Sequence, residues 1–475
     1  HNRKHSFPTR RSSDLLRALH VGALEQSGDY AAALEAARRR AELEDGFEAL
    51  FGLITLLLRY GRNEDALAAC ERAARRAGAD TRKQSAVNLV RGQVLRILGE
   101  REPALRALRD SLTQDASNAE AWWGLADMKT VAFTDEDRSA MTALADHPGL
   151  DARRRSAAAF ALARATEIRD GAAAAFDMYR RANALSPASR FDAARFKAGV
   201  ERLTASFTPA ALAVRAAPRP GAQRPIFIVG LPRSGSTLVE QILATHSAVA
   251  GTMEQPTLPA VKRKAHRLCV ERLNADYLSG VSKLDAEALG GLGARYLDEA
   301  AVFGAEGAPV FTDKMPYNFE HVGLIEKILP HAVIIDVRRH PLDCGWSLFK
   351  QHFAQGGEFS YRLQDIAAYF NGYLQIMDHW DAVLPGRVLH VQYERLVTDP
   401  AREVRAMLTH AGLAFEPECL DFHKTRRAVR TASSEQVRQP LNRRGVGAWR
   451  AVEDELEPLK AALGEATLAR FDATP

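Results

Sequence analysis

One segment constrains this chain more than any other: Pro225–His246, PIFIVGLPRSGSTLVEQILATH. A β-branched apolar run ends at a glycine, a short turn with Arg233, Ser234, Gly235, Ser236 and Thr237 follows, and an amphipathic helical pattern begins. A turn of this kind between strand and helix leaves successive backbone N–H groups aimed at one point, and the helix dipole adds partial positive charge there. Turn chemistry alone does not account for proline, arginine, two serines, glycine and threonine in succession. The segment therefore predicts an anion site at the carboxyl edge of a buried sheet.

The turn resembles a phosphate loop of the G-x-x-x-x-G-K-[ST] type but lacks its lysine, because Ser236 stands in that position. Arg233 supplies the charge from earlier in the turn. Asp336, on a later apolar run, is the candidate for the acid such loops pair with, and the missing lysine argues against that assignment. From Pro225 onward, short runs of strand type (PIFIVGL, APVFTDK, AVIIDVR, RVLHVQY) alternate with helical stretches. That alternation predicts a mostly parallel α/β sheet.

The first half has a different grammar. Residues 15–206 show apolar positions at i, i+3, i+4 and i+7 and much alanine, without strand-like alternation. Similar phrases recur at SGDYAAALEAARR, YGRNEDALAACERA and LGEREPALRALRDSL, with Gly28 and Gly61 separated by 33 residues and Gly61 and Gly99 by 38. A weaker copy surrounds Gly171, and NAEAWWGLADM, with Trp122 and Trp123, reads as another opening. The pattern resembles tetratricopeptide repeats, irregular between about 128 and 165, with a non-repeating helical bundle as the alternative. The two tryptophans are read as packing. Residues 207–224 hold three prolines and read as a linker. The opening, HNRKHSFPTRRSSDL, has no apolar period, looks like translated adaptor sequence, and residues 1–14 are set aside as an artefact or disordered.

With 46% hydrophobic and 26% charged residues, the composition excludes disordered and collagen-like chains. The net charge of +5 arises from 64 basic and 59 acidic residues of interspersed sign, a solvated mixed surface that does not call for nucleic acid. Cys70, Cys269, Cys344 and Cys419 form no C-x-x-C pair, so neither a zinc site nor a disulfide framework is expected, and a reducing, cytoplasmic setting is favoured. No apolar run is long enough to span a bilayer.

PRSGST after an apolar strand resembles the 5'-phosphosulfate loop of sulfotransferases that use 3'-phosphoadenylyl sulfate (PAPS). Over about 225–450, within a domain set at 225–475, the chain is similar above all to the catalytic domains of tyrosylprotein sulfotransferases and of bacterial tetratricopeptide-repeat sulfotransferases. The resemblance implies that Arg233, Ser234, Gly235, Ser236 and Thr237 hold the 5' end of the donor. In VIIDVRRHPLDCGWS it implies that Arg339 and Ser347, eight residues apart, grip the 3'-phosphate, with Arg338 as a competing register and Lys350 standing near a further family arginine. Glu254 follows Arg233 by 21 residues, the spacing of the family's base, with His246 ranked second. Lys314 in FTDKMPYNF would steady the leaving phosphate, oriented by Asp313. Tyr393 would lie near the nucleotide, and Ser433, opening SSEQV, would steady the transferring group. The family's lysine before the tryptophan falls on Ala448, leaving Arg443 or Arg444 to make that contact.

The implied chemistry is in-line transfer of a sulfuryl group from PAPS to an acceptor hydroxyl, with protein tyrosine as the family's guide and no metal required. The repeats would present a protein or peptide acceptor or support a homodimer. The competing readings are a P-loop nucleotide kinase or ATPase and a non-catalytic repeat adaptor.

Overall fold

The computed structural model describes residues 10–129, 131–186, 191–217, 219, 221–353, 356–431 and 433–472. Among these, eleven helices run from Arg10 to Ser206; the first ten contact one another in sequence order in the manner of helical repeats, and the eleventh, Ala193–Ser206, packs on helix Leu363–Val383 of the second half. The first, Arg10–Ser27, begins inside the stretch set aside above, and its Asp14 accepts a hydrogen bond from Arg17 at 2.6 Å. Residues 1–9 lie outside the described residues.

The repeat pattern works because alanine-rich faces let helices approach closely. Gly61 turns the chain between helices Phe47–Arg59 and Asn63–Ala77 at φ 72°. The positive φ is what asks for glycine there, and the Met253 methyl of the second half packs against its Cα face. Trp122 and Trp123 are buried; Trp123 meets the Phe160 ring edge-on at 5.9 Å and the His352 ring at 5.7 Å.

The second half is built on five parallel strands: β1 (Arg224–Gly230), β2 (Val249–Ala250), β3 (Val310–Asp313), β4 (Val333–Arg338) and β5 (Val388–Gln392). Their order is β2-β3-β1-β4-β5. The register aligns Ile226 with both Thr312 and Val333, and Ile334 with Val388. Side chains alternate across the sheet: Phe227, Val229 and Ile334 enter one core, Ile226, Ile228, Ile335 and Val337 the other. Both faces are covered, which is why these strands read as unbroken apolar runs. The chain reverses its direction of travel across the sheet between β1 and β4, and the crevice beyond their carboxyl ends is where open α/β sheets bind ligands.

The two halves share their interior. Trp123, Phe160, Phe176 and Tyr179 of the helices and Trp346, Phe349 and Tyr373 of the sheet half belong to one continuous core. The linker is not a loose tether. The buried Lys327 ammonium donates to the carbonyls of Ala211 (2.7 Å) and Val214 (2.8 Å), and Ala216 N–H donates to the Lys327 carbonyl at 2.7 Å.

Candidate active site

The turn after β1 folds as the sequence predicts. Helix Ser236–Leu243 begins at Ser236, behind Gly235 at φ 107°. A Cβ on Gly235 would stand 2.7 Å from the Tyr393 ring, so the aromatic side chain closes one side of the loop and only glycine fits. Arg233 adopts φ 70°, a left-handed conformation costing an L residue about 1–2 kcal/mol. That strain aims its guanidinium inward. Nε donates to Ser347 Oγ at 2.9 Å and Nη1 to Ser433 Oγ at 2.8 Å. Burial pulls the Arg233 pKa down to about 10, with Asp127 opposing and Arg339 and Arg164 reinforcing the shift. Thr237 Oγ1 donates to Thr431 Oγ1 at 3.2 Å.

Arg339 follows β4 and faces the same loop. Its Nη1 donates to the carbonyl of Arg233 at 3.1 Å, its Nη2 to the carbonyl of Gly445, and its guanidinium lies 5.0 Å from the Tyr393 ring centroid. Arg339 Nε and Ser234 Oγ are buried with no hydrogen-bond partner among the described residues. Two such donors beside one loop suit an anion with several oxygens. The segment carrying Gly445 is fixed by Asp343, whose carboxylate accepts from Gly447 N–H at 2.7 Å and Trp449 N–H at 3.0 Å. Arg338 turns the other way. Its Nε donates at 2.7 Å to the buried Asp336, which also accepts from Tyr373 at 2.6 Å and lies 2.9 Å from His390 Nδ1. Asp336 is thus enclosed in a structural network with Arg338, Tyr373 and His390.

Glu254 and Lys314 come from the ends of neighbouring strands β2 and β3. Lys314 N–H donates to Met253 O at 3.2 Å, Thr252 N–H donates to Thr312 Oγ1 at 3.2 Å, and the Lys314 ammonium is ion-paired with Glu254. The Lys314 side chain is 1% exposed and that of Glu254 44%, so the carboxylate is the member of the pair that solvent and an acceptor reach. Asp313 does not orient Lys314. Successive strand residues point to opposite faces, and Asp313 instead accepts from Tyr296 at 2.7 Å, with its pKa raised to about 7 by burial.

Three further placements complete the cluster. Lys350 is held from the other half of the molecule: its ammonium donates to Glu167 of the helices at 2.6 Å. Arg443 is exposed, and that segment reaches the cluster through the carbonyl of Gly445. Ser347 Oγ accepts from Arg233 Nε, which brings it into the same cluster as Arg339. His246 lies apart, with Nε2 3.0 Å from Ala414 O and Nδ1 accepting from Ala248 N–H at 3.1 Å. Asp127, Arg164 and Glu167, all from the helices, and Arg430 beside Glu254 escaped sequence reasoning altogether. The only local signal among them was the basic run KTRRAVR upstream of SSEQV. Among the described residues no group of three or more potential metal ligands is present.

A parallel sheet with an arginine-bearing loop after β1 and a second arginine after β4 is a domain of the P-loop-like class with a cluster suited to an anion. Residues 225–417 match the Sulfotransferase family, and the chain carries a Sulfotransferase family domain. An uncharacterized protein of Aquifex aeolicus (strain VF5) is 32% identical over 378 residues, covering 78% of this chain and 49% of that protein. Protein-tyrosine sulfotransferase 1 of Danio rerio is 26% identical, over 47% of this chain and 65% of that enzyme. The chain thus spans about half the length of the first of these relatives and less than two thirds of the second. Among solved structures, the sulfotransferase domain of the Synechococcus PCC 7002 olefin synthase is 20% identical, with a TM-score of 0.39, covering 55% of this chain and 98% of that one.

Proposed function

We propose that the chain moves a sulfuryl group from PAPS to an acceptor hydroxyl. The observation that carries the reading is the convergence of Arg233 and Arg339, joined by the 3.1 Å hydrogen bond from Arg339 to the Arg233 carbonyl, with unpartnered buried donors beside both. A donor carrying phosphates on both sides of its ribose suits two cationic anchors set this close. Arg233, Ser234 and the N–H groups opening helix Ser236–Leu243 hold its 5' end. Arg339 holds the 3'-phosphate, and the Tyr393 ring packs between.

In the transfer, the acceptor oxygen bonds to sulfur as the bridging oxygen–sulfur bond breaks. The acceptor proton passes to the Glu254 carboxylate. The electron pair stays on the departing phosphate oxygen, whose charge Lys314 and Arg233 neutralise from fixed positions. Ser433, held by Arg233, steadies the group in flight. The Glu254–Lys314 pair keeps base and cation adjacent before the acceptor arrives.

Protein tyrosine is the proposed acceptor class, supported by relatives named protein-tyrosine sulfotransferases, with the helical half presenting the peptide. A cytoplasmic setting is proposed from the four free, buried cysteines. Among the described residues no helix is long and apolar enough to cross a membrane.

Calorimetric titration tests the donor. Adenosine 3',5'-bisphosphate is expected to bind without magnesium, and ATP with magnesium weakly. The reverse order would establish the kinase reading. Arg339→Ala is expected to weaken the bisphosphate about 100-fold. Glu254→Ala is expected to lower turnover by about 10²–10⁴-fold with binding kept. Equal loss of nucleotide affinity in both variants would contradict these roles. Sulfur-35 labelling of a lysate, followed by identification of the labelled species, separates tyrosine from sugar, lipid and small-phenol acceptors. No transfer to any of them would favour the adaptor.

A further inference from the structure

We infer that the helical half is part of the donor site: Glu167, anchored by Arg164 and Tyr179, positions the Lys350 ammonium beside Arg233 so that Lys350 holds a phosphate of the bound nucleotide. The inference rests on the donor reading above and adds to it a positioning residue from outside the sulfotransferase domain.

Glu167 lies near the end of helix Ala152–Asp170, and its carboxylate gathers three groups. Oε2 accepts from Arg164 Nη1 at 2.6 Å and from Tyr179 OH at 2.6 Å, while Oε1 accepts from Lys350 Nζ at 2.6 Å. Tyr179 belongs to helix Ala172–Ala184, so two helices fix the carboxylate. Lys350 caps helix Pro341–Phe349, less than one turn beyond Ser347, the hydroxyl that accepts from Arg233. Its ammonium lies 4.7 Å from the Trp346 ring centroid, which braces the stem from below. Lys350 and Glu167 are each 15% exposed on their side chains and 183 residues apart in sequence.

The charge balance shows why this is more than an interface contact. Arg164, Lys350, Arg233 and Arg339 crowd one buried region, and Glu167 is shared between the first two. The other nearby carboxylate, Asp127, is engaged by Arg96 at 2.5 Å. Burial and the proximity of Arg233 also drive the Lys129 pKa far down. Arg164 Nε is sealed from solvent with no hydrogen-bond partner among the described residues. A buried excess of cations is costly unless an anion enters. Lys350 is the titratable cation on the Ser347 side of this cluster, and the groups facing it are Glu167 and Arg164 from one helix, Tyr179 through Glu167 from the next, and Arg233 from the loop after β1. Burial lowers its pKa to about 8, Arg164 and Arg233 push the same way, and Glu167 opposes them.

With its pKa lowered to about 8, Lys350 gives up its charge progressively as pH rises around that value, and under the proposal nucleotide affinity falls with it. The experiment is calorimetric titration of the full chain with adenosine 3',5'-bisphosphate from pH 6.5 to 9, with thermal melting as the control for folding. The wild type is expected to lose about tenfold in affinity across the window. Glu167→Gln removes the opposing charge and should shift that fall to lower pH by about one unit or more. Lys350→Arg, whose guanidinium does not titrate there, should give a flat profile, as should the double variant. A Glu167→Gln variant that binds more weakly with an unshifted profile would make Glu167 merely structural and overturn the inference. Should that variant not fold, Lys350→Arg decides alone, and a profile as steep as the wild type's overturns it. No binding to the wild type at any pH would sink the donor reading and this inference together.

Discussion

The helical half and the sheet half differ in where their information sits. In the sheet half, five site residues lie at the end of a strand or within a few residues of it: Arg233 after β1, Glu254 after β2, Lys314 after β3, Arg339 after β4, Tyr393 after β5. Order along the chain becomes order along one edge of the sheet. The helical half has no such edge. Its repeats stack on apolar faces, and its charged residues acquire meaning only where they meet the other half, as Glu167 does at Lys350 and Asp127 does near Arg233. Motifs are therefore written locally in the sheet half and in the joint between halves for the helices.

If the joint is part of the fold, separating the halves has the largest effect. A chain starting at residue 207 would uncover Trp346, Phe349 and the ring of His352, which pack on Phe176 and Trp123. It is expected to be insoluble or to show no cooperative melting, and a truncated chain that melts sharply and binds the bisphosphate normally would break the comparison. Next comes Trp123→Ala in the full chain. It empties a site shared by Phe160 and His352 and should cost about 3–5 kcal/mol, read by denaturant unfolding. A loss below about 1 kcal/mol would mean the halves are merely apposed.

A smaller effect distinguishes the sheet half by pH. Asp313 is buried with a pKa raised to about 7, whereas an unfolded aspartate titrates near 4. The folded chain holds this proton more tightly, so the contribution of Asp313 to stability is best at low pH and declines as pH rises from about 4 to about 7. Asp313→Asn keeps an oxygen for Tyr296 and cannot ionise, so it should flatten stability across that window. An unchanged slope would place the titration elsewhere.

Much of this architecture was legible, and what was not has a physical reason. The runs PIFIVGL, APVFTDK, AVIIDVR and RVLHVQY became β1, β3, β4 and β5 because both faces of the sheet are buried and apolar residues fill them. β2 escaped notice because two residues, Val249 and Ala250, carry no periodicity. Asp313 was misread as the partner of Lys314 because adjacency in sequence is not adjacency in space at a strand's end. Of two consecutive arginines, Arg338 and Arg339, the same alternation sends one to Asp336 and the other to the loop. Lys350 stood out by its place after Ser347, but Glu167 gave no signal, since nothing local in sequence marks its pairing with a residue 183 positions away.

The finest test concerns how the helices reach the Glu254 loop. Met253 packs against Gly61, and Tyr30 OH donates to Pro256 O at 3.0 Å, so the helical half touches the residues on either side of Glu254. Tyr30→Phe removes only that hydroxyl and keeps the ring against Tyr60 at 5.6 Å and Phe303 at 5.3 Å. The carbonyl of Pro256 loses a donor within a partly buried joint, so stability should fall by about 1 kcal/mol. If the bond also holds the loop in place, turnover should fall a few-fold while affinity for adenosine 3',5'-bisphosphate stays put, because Arg233 and Arg339 are anchored elsewhere. A variant losing nucleotide affinity and turnover in parallel would show that the helices act on the whole crevice, not on the base alone, and would redraw the boundary between the two halves.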